Sequence, residues 1–273
     1  MPNRSDTLLS MFNPKGKGLE IGPSFNPLLR KSDGYNVEIV DHLSAADLRE
    51  KYRDANVDLG RIEEVDYISD GGTISELVGK PGHYDYCIAL HVIEHTVDLV
   101  GFLLDCQTLL KEDGVLVLAV PDKRFSFDVL RPACTTGDVI QSHLDGRRNH
   151  SLGKMFDEFA YNCLRSGLPA WEAGHKGNLE FFRSLADAKA IFNHARNSGE
   201  FFDIHAWQFT PSSFRLIIQD LQEFGLIRLK EKSFVAPEGG EFYATLSCSA
   251  DSRPQDRLHL AKSAIKEQAG TLA

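Results

Sequence analysis

The stretch that decides the fold runs from residue 84 to 124 and reads YDYCIALHVIEHTVDLVGFLLDCQTLLKEDGVLVLAVPDKR. It begins with an apolar run at 84–90 that is typical of a buried strand. Apolar residues then recur at helical spacing, and the turn EDG leads into an unbroken apolar run at 115–121. A strand, a helix and a second strand in this order predict a parallel crossover in a sheet that is covered on both faces.

The sequence before this unit continues the same alternation of strands and helices. Three more strands are predicted, at 18–22, 36–41 and 61–68. Asn26 and Pro27 follow the first of them and predict the start of a helix, as a capping residue and a first helical residue. Ser44 predicts the start of another helix at 44–55. The alternation predicts a doubly wound, mainly parallel α/β sheet, in which ligands bind at the carboxyl ends of the strands.

The second half of the chain has a different pattern. Helical patterns separated by polar turns fill residues 125–205, which predicts a helical lid inserted over the carboxyl ends of the strands. Thr210, Pro211 and Gly225 mark the cap, first turn and end of a further helix. Two final strands, at 226–236 and 241–249 and joined by PEGG, predict an antiparallel pair that completes a seven-stranded sheet.

These boundaries predict a single domain over residues 1–273. Its core is expected at 15–124 and 206–249, the helical lid at about 125–205, and a polar tail at 250–273. A scaffold or a homodimer interface is the alternative interpretation of the lid.

Composition narrows the class of partner and the compartment. The 273 residues are 42% hydrophobic and carry a formal net charge of −9, so neither a basic surface nor a nucleic-acid partner is expected. The N-terminus MPNRSDTLLSMF has no apolar run suited to a signal peptide or a membrane span, and no membrane partner is expected. The five cysteines are scattered without a Cys-x-x-Cys pair, which favours a reducing, cytoplasmic location.

Acidic and glycine residues at the first three strand ends form a pattern typical of nucleotide binding. Gly22 permits close approach of a ligand to the backbone. Asp41 follows it by 19 residues, near the spacing at which an acid meets ribose hydroxyls. Asp66 and Tyr67 are expected after the third strand, where they can accept from an adenine amino group or wall its ring.

The fourth and fifth strand ends carry the candidate catalytic residues. His91, Glu94 and His95 have the spacing of one helix face. One histidine can act as a base that deprotonates the hydroxyl of a substrate. Alternatively, the three residues together can hold a divalent metal, or they can pack locally in a structural role. No metal is assigned. Asp122 is a further candidate base.

At these residues the sequence resembles the class I S-adenosylmethionine-dependent methyltransferases. The resemblance rests on LEIGPSFNP, on VDH and on the 86–124 block, and covers roughly residues 18–124 and 208–249. It implies a Rossmann-like methyltransferase fold and S-adenosyl-L-methionine as the cofactor. It departs from the family in the first loop, where Ser24 and Asn26 stand at positions that usually hold glycine.

The resemblance also implies roles for individual residues. Glu20 and Gly22 would line the methionine end of the cofactor, Asp41 would bind the ribose, and Asp66 and Tyr67 would bind the adenine. The remaining residues that it places at the cofactor are Pro23, Ser24, His42, Ala89, Leu90 and His91. The residues expected to meet the acceptor are Lys123, Arg124, His205 and Trp207, the last two beside Asp203.

The expected activity is methyl transfer to oxygen or nitrogen of a small-molecule or sugar acceptor, with His91 or His95 as the base. Two alternatives stay open. The enzyme can instead use the aminocarboxypropyl arm of the cofactor, by transfer or cyclisation, and release methylthioadenosine. The chain can also be a non-catalytic cofactor-binding partner subunit, for which the departure in the first loop is the only support.

Overall fold

The computed structural model describes residues 3–236 and 239–269. The strands are β1 Gly18–Ile21, β2 Val37–Asp41, β3 Tyr67–Ile68, β4 Tyr84–Leu90, β5 Leu110–Pro121, β6 Cys163–Arg165, β7 Leu179–Phe181, β8 Lys230–Val235 and β9 Glu241–Ser247. The helices are α1 Arg4–Ser10, α2 Ala45–Lys51, α3 Ile74–Val78, α4 Leu99–Leu109, α5 Thr136–Leu144, α6 Leu152–Tyr161, α7 Leu185–Ser198, α8 Pro211–Glu223 and α9 Arg257–Ala269. Within the described ranges, none of these helices has the length and apolarity that crossing a bilayer requires.

Seven strands form one twisted sheet in the order β3-β2-β1-β4-β5-β9-β8. The pairs among β1 to β5 are parallel, whereas β9 runs antiparallel to both β5 and β8. The prediction of a doubly wound, mainly parallel sheet with a C-terminal antiparallel pair is therefore confirmed. The carboxyl ends of β1, β2 and β4 meet at one edge, which is where the candidate site lies.

Both faces of the sheet are covered, which explains why β4 is apolar at every position except Asp85. Cys87 and Ala89 point into a core that includes α4 and α8. Tyr86 and Ile88 point the other way, into a core that includes Leu8 of α1. Successive side chains of a strand face opposite sides of the sheet, so the positions of β4 other than the partly exposed Asp85 and Leu90 are buried against one layer or the other.

The helix predicted after β1 is absent, and this prediction is wrong. Residues 23–30 form turns, and only a short 3-10 turn at Lys31–Asp33 follows. The buried carboxylate of Glu20 accepts from the backbone N–H groups of Leu28 (2.7 Å) and Leu29 (3.2 Å). These contacts satisfy the backbone in an extended loop, so helical hydrogen bonds are not needed there.

Three other elements differ from expectation in length or type. The third strand shortens to Tyr67–Ile68, and the helix expected at 44–55 ends at Lys51, although Ser44 caps it as predicted. The helix after β4 does not begin at His91: a 3-10 turn at Ile93–His95 precedes α4, which Asp98 caps.

The inserted segment 125–205 is not purely helical. It contains α5, α6 and α7 together with the antiparallel pair β6–β7, which correct the prediction of an all-helical lid. Packing of α6 against α7 gives this segment a small apolar core of its own.

The C-terminal part follows the predicted order, with one addition. Thr210 caps α8, and Pro211 begins it. The turn PEGG lies partly outside the described residues, at 237 and 238, as do the last four residues of the predicted polar tail. Within the described part of that tail, Arg257–Ala269 form α9, whose Leu260 is buried.

Candidate active site

The loop after β1 combines two residues with left-handed backbones. Gly22 has φ 65° and Ser24 has φ 54°. A Cβ at Gly22 would lie 3.1 Å from Cγ2 of Val92, so this position has no room for a branched side chain. Asn26 does not have a positive φ, so of the two expected glycine substitutes only Ser24 takes that conformation. Pro23, between them, completes the turn.

The carboxylate of Asp41 closes this loop from the end of β2. Its Oδ2 accepts from the backbone N–H of Ser24 at 2.8 Å. Its Oδ1 accepts from the backbone N–H of His42 at 2.8 Å and lies 2.6 Å from Nδ1 of the His42 ring. The side chain is 1% exposed, while that of His42 is half exposed and covers it. Access to Asp41 therefore depends on the position of the His42 ring.

Glu20 supports the loop from a buried position in the sheet. It is buried and holds Leu28 and Leu29 as described above. Burial raises the pKa of Glu20 to about 7, although the two N–H groups and the more distant Arg61 and Arg4 lower it. Glu20 thus supports the loop through Leu28 and Leu29, and its contact with the methionine end of the cofactor stays a prediction.

The placement of Asp66 and Tyr67 after the third strand is wrong. Tyr67 begins β3 and donates to Glu38 at 3.1 Å, and Asp66 precedes the strand, where it accepts from the N–H of Ile39 at 2.7 Å. Ile68 ends the strand with 53% of its surface exposed, and Ser69 and Asp70 follow it. The pair Gly71–Gly72, which punctuates the chain here, was the signal that could have placed the strand end correctly.

At the end of β4 the chain reaches the candidate site. Ala89 is fully buried, Leu90 is partly buried, and His91 has φ 55°. Nε2 of His91 lies 2.6 Å from Oε2 of Glu241, at the start of β9. Its Nδ1 lies 3.6 Å from Oε1 of Glu94.

Glu241 is held by two residues besides His91. Arg4 of α1 binds both of its oxygens, at 2.5 and 3.0 Å, and the hydroxyl of Tyr243 donates to it at 2.7 Å. Burial raises the pKa of Glu241, but the bonds from His91, Arg4 and Tyr243 outweigh it and hold the pKa at about 2. The carboxylate is therefore charged and fixed behind His91.

Glu94, His95 and His205 form a compact group, although the predicted helix face does not exist. Their ligand atoms lie within 4.8 Å of one another. Nδ1 of His95 binds Asp203 at 2.8 Å, and Nδ1 of His205 binds Asp128 at 2.5 Å. Burial lowers the pKa of His95, but the Asp203 and Glu94 carboxylates raise it above the usual value.

The residues after β5 have structural partners. Asp122 is fully buried and accepts from the guanidinium and the backbone N–H of Arg124. Lys123 is 1% exposed and donates to the carbonyl of Val129 at 2.9 Å, and burial lowers its pKa to about 8. The expected roles of Asp122 as base and of Lys123 as an acceptor contact are therefore corrected to structural ones. Arg124, whose side chain is 21% exposed, stays a predicted acceptor contact.

A polar cavity of about 230 Å³ lies between the inserted segment and Trp207, and we call it the Trp207 cavity. Its lining includes Ser142, Asn149, His150, Lys154 and Trp207. Trp207 donates its indole N–H to the carbonyl of Thr96 at 2.6 Å, and its backbone N–H and that of Ala206 reach the Glu94 carbonyl. A larger cavity of about 380 Å³ borders α8 and the segment before α9, and residues from the ends of β1, β2 or β4 line neither cavity.

Comparison with known proteins supports one family. The model of the methyltransferase domain matches residues 4–166. No curated protein matches the sequence.

Similar solved structures include a protein from Pyrococcus horikoshii OT3, with 13% identity, 88% of this chain and 85% of that chain covered, and a TM-score of 0.45. They also include a SAM-dependent methyltransferase from Methanosarcina mazei, with 13% identity, coverage of 88% and 95%, and a TM-score of 0.44. A third is the 1,6-didemethyltoxoflavin-N1-methyltransferase of Burkholderia thailandensis, with 11% identity, coverage of 89% and 75%, and a TM-score of 0.42. Because the family match spans more than half of its residues, the chain belongs to the methyltransferase-domain family, as a class I S-adenosylmethionine-dependent methyltransferase.

Proposed function

We propose that the enzyme methylates a hydroxyl oxygen of a small polar acceptor, with sugars as the leading class. The observation that carries this proposal is the pair of His91 and Glu241 at the end of β4. A hydroxyl is a poor nucleophile until a base removes its proton, whereas an amine needs less help. A histidine backed by a charged carboxylate is suited to that task.

The strand-end residues fit the cofactor once one side chain moves. The left-handed turn at Gly22 leaves the backbone open to a ligand, as a phosphate-free nucleoside cofactor with an amino-acid arm requires. We propose that ribose hydroxyls replace Nδ1 of His42 on Oδ1 of Asp41. The exposed side chain of Ile68 offers an apolar surface to the adenine, and Asp70 an acceptor for its amino group.

The bound cofactor supplies an electrophilic methyl group on a sulfonium. Nε2–H of His91 donates to Glu241, which leaves the lone pair of Nδ1 to accept the hydroxyl proton of the acceptor. The acceptor oxygen forms a bond to the methyl carbon as the carbon–sulfur bond breaks, and S-adenosylhomocysteine is released. Alignment of acceptor and methyl group accounts for most of the remaining rate enhancement.

The Trp207 cavity supports a hydroxylated substrate. Its lining offers hydroxyl, amide and cationic groups that can form hydrogen bonds with hydroxyls. A small number of placed polar groups fixes the orientation of the ligand in most small-molecule sites. A cytoplasmic location and a homodimer are also proposed; light scattering of the purified protein tests the second.

The test is release of S-adenosylhomocysteine from labelled cofactor across a panel of sugars, polyols, phenols and amines. We expect turnover with hydroxyl acceptors, and a loss of about 100- to 10,000-fold in kcat for His91→Ala. His194→Ala removes an exposed histidine that is also paired with a carboxylate, Glu200 at 3.1 Å, and should keep full activity. Release of methylthioadenosine instead would replace methyl transfer by use of the aminocarboxypropyl arm.

A further inference from the structure

We propose that Glu94, His95 and His205 bind a divalent first-row transition metal, with open positions for the oxygen of the acceptor. Binding of the metal stands on the geometry of these three residues. Its part in catalysis rests on the proposed methyl transfer to a hydroxyl.

The buried carboxylate of Glu94 is the first observation. The residue is 0% exposed, and neither carboxylate oxygen has a hydrogen-bond partner in the part of the chain that the structure describes. The imidazole nitrogens nearest to Oε1 are Nδ1 of His91 at 3.6 Å and Nε2 of His95 at 3.9 Å, beyond hydrogen-bond distance. A buried carboxylate without partners is costly, and a bound cation removes that cost.

The second observation is the orientation of the two histidines. Asp203 holds Nδ1 of His95, and Asp128 holds Nδ1 of His205. If each Nδ1 carries its proton toward its carboxylate, each Nε2 keeps a lone pair for a metal. Histidine ligands in metal sites are usually oriented in this way by an outer carboxylate.

The outer carboxylates are themselves fixed. Asp128 is buried and accepts a hydrogen bond from the guanidinium of Arg131 at 2.6 Å. Arg131 also donates to the His205 carbonyl at 2.7 Å. The rings of His95 and His205 lie perpendicular, with centroids 4.6 Å apart. The group is thus held together before any metal arrives.

The spacing suits one ion after a small closure. Ligand atoms at metal bonds of about 2.1 Å stand roughly 3.5 Å apart around a tetrahedral ion. The corresponding atoms here lie within 4.8 Å of one another. Side-chain rotations that shorten the largest of these separations by about 1.3 Å would bring the three atoms to the spacing of one ion.

Two imidazoles and a carboxylate favour a transition ion over Mg²⁺ or Ca²⁺, which prefer oxygen ligands. Three protein ligands leave positions free for an acceptor hydroxyl. A metal held by these residues would lower the pKa of a bound hydroxyl and so ease its deprotonation by His91, whose Nδ1 lies 3.6 Å from Oε1 of Glu94. No change of oxidation state is involved.

The binding test uses the full chain stripped of metal, without cofactor or acceptor. Zn²⁺ is titrated by calorimetry, and Co²⁺ by the visible absorption that a site with nitrogen ligands produces. We expect one ion per chain, a loss of at least 100-fold in affinity for Glu94→Gln and His205→Ala, and about 10- to 100-fold for Asp203→Asn. His194→Ala is the matched control and should bind as the wild type does.

The thermal stability of the Glu94→Gln variant without metal shows whether Glu94 is a metal ligand or a structural residue. We expect a thermal midpoint at or above that of the metal-free wild type, because a buried carboxyl group without hydrogen-bond partners is removed. A lower midpoint, or binding of Co²⁺ and Zn²⁺ that is absent or unaffected by Glu94→Gln, would overturn the metal site. Methyl transfer that persists after complete removal of metal would overturn its catalytic part. Metal binding without methyl transfer to any hydroxyl would count against the proposed function and not against the site.

Discussion

Ser24 and Gly22 both adopt a left-handed backbone conformation, but the conformational free energy that this requires differs between them. A left-handed conformation costs a residue with a Cβ about 1 kcal/mol, which glycine avoids. Ser24 recovers part of this cost through its N–H bond to Asp41 and the contact of its hydroxyl with Tyr52 at 2.9 Å. The loop is therefore maintained with one glycine, where the family usually has more.

This difference gives a paired prediction for cofactor binding. Gly22→Val places a branched side chain against Val92 at φ 65° and should abolish binding of S-adenosylhomocysteine. Ser24→Gly relieves strain but loses the Tyr52 contact, so it should bind within a few-fold of wild type. Isothermal titration calorimetry measures both.

A matched control is Gly34→Val. Gly34 also has a positive φ, 89°, but nothing lies within 4 Å of its added Cβ. This variant should lose some stability and keep its affinity for S-adenosylhomocysteine. Retained binding in Gly22→Val would show that the loop does not approach the cofactor.

Among the elements, β2 carries a charged residue that is structural. Glu38 accepts from Lys80 at 2.9 Å, and from the hydroxyls of Tyr67 at 3.1 Å and Tyr84 at 2.5 Å. Burial raises its pKa, but these donors and Lys17 outweigh burial and lower the pKa to about 2. The group ties β2 to β3 and β4 at a point away from the candidate site.

Glu38→Gln should lower the free energy of unfolding by about 2 kcal/mol at pH 7, the scale of hydrogen bonds to a charged acceptor. The folded pKa lies below the unfolded value of about 4.5, so the charge stabilises the fold above that pH. The stabilisation fades as the pH falls from about 4.5 to 2. Urea denaturation across this range measures whether the free energies of unfolding of wild type and variant converge as the pH falls.

Glu76→Gln, on the exposed side of α3, serves as the control and should track the wild type. A Glu38→Gln deficit that is the same at pH 3 and pH 7 would mean that packing, and not charge, accounts for the effect.

The strands were predictable where burial alone determines them. Apolar runs located β4 to the residue and the start of β9, because their burial depends on composition and period. β5 ends at Pro121 as predicted but begins at Leu110, so it includes the EDG stretch expected as a turn, and the partly buried β8 begins only at Lys230. The missing helix after β1 was not predictable, because Glu20 satisfies the backbone of residues eight and nine positions later. Local propensity contains no information on such a side-chain contact.

The candidate site was predictable in residue type but not in geometry. The sequence singled out His91, Glu94 and His95 through a helical spacing that the structure does not have. Asp128, Asp203 and Glu241, which orient the histidines, come from separate segments that only the fold brings together. The two corrected assignments after β5 have the same origin, since burial of Asp122 and Lys123 depends on the inserted segment and the last strands.

At the scale of the whole molecule, a buried ion cluster joins the inserted segment to the site. Arg131 is 1% exposed, and its Nη1 donates to Asp128 and to Glu158 of α6, each at 2.6 Å. Its Nη2 donates to the carbonyl of His205. One guanidinium therefore connects the chain after β5, the helix α6 and the segment that returns to the sheet.

Arg131→Met keeps much of the side-chain volume and removes the charge. It leaves Asp128 and Glu158 buried without their cation, which should lower the free energy of unfolding by about 3–5 kcal/mol. Arg228→Met, which breaks an exposed pair with Glu112 at 3.3 Å, should change stability little. Urea denaturation compares the two.

The Arg131→Met variant also distinguishes a general loss of stability from a loss of the proposed metal site. Because Arg131 holds both Asp128 and the His205 backbone, its removal should weaken Co²⁺ binding even at a temperature where the variant is fully folded by circular dichroism. If Arg131→Met were as stable as wild type, the carboxylates would be neutral or paired elsewhere, and the cluster would not be what connects the insertion to the sheet. If it were unstable but bound Co²⁺ normally, the orientation of His205 would rest on Asp128 alone.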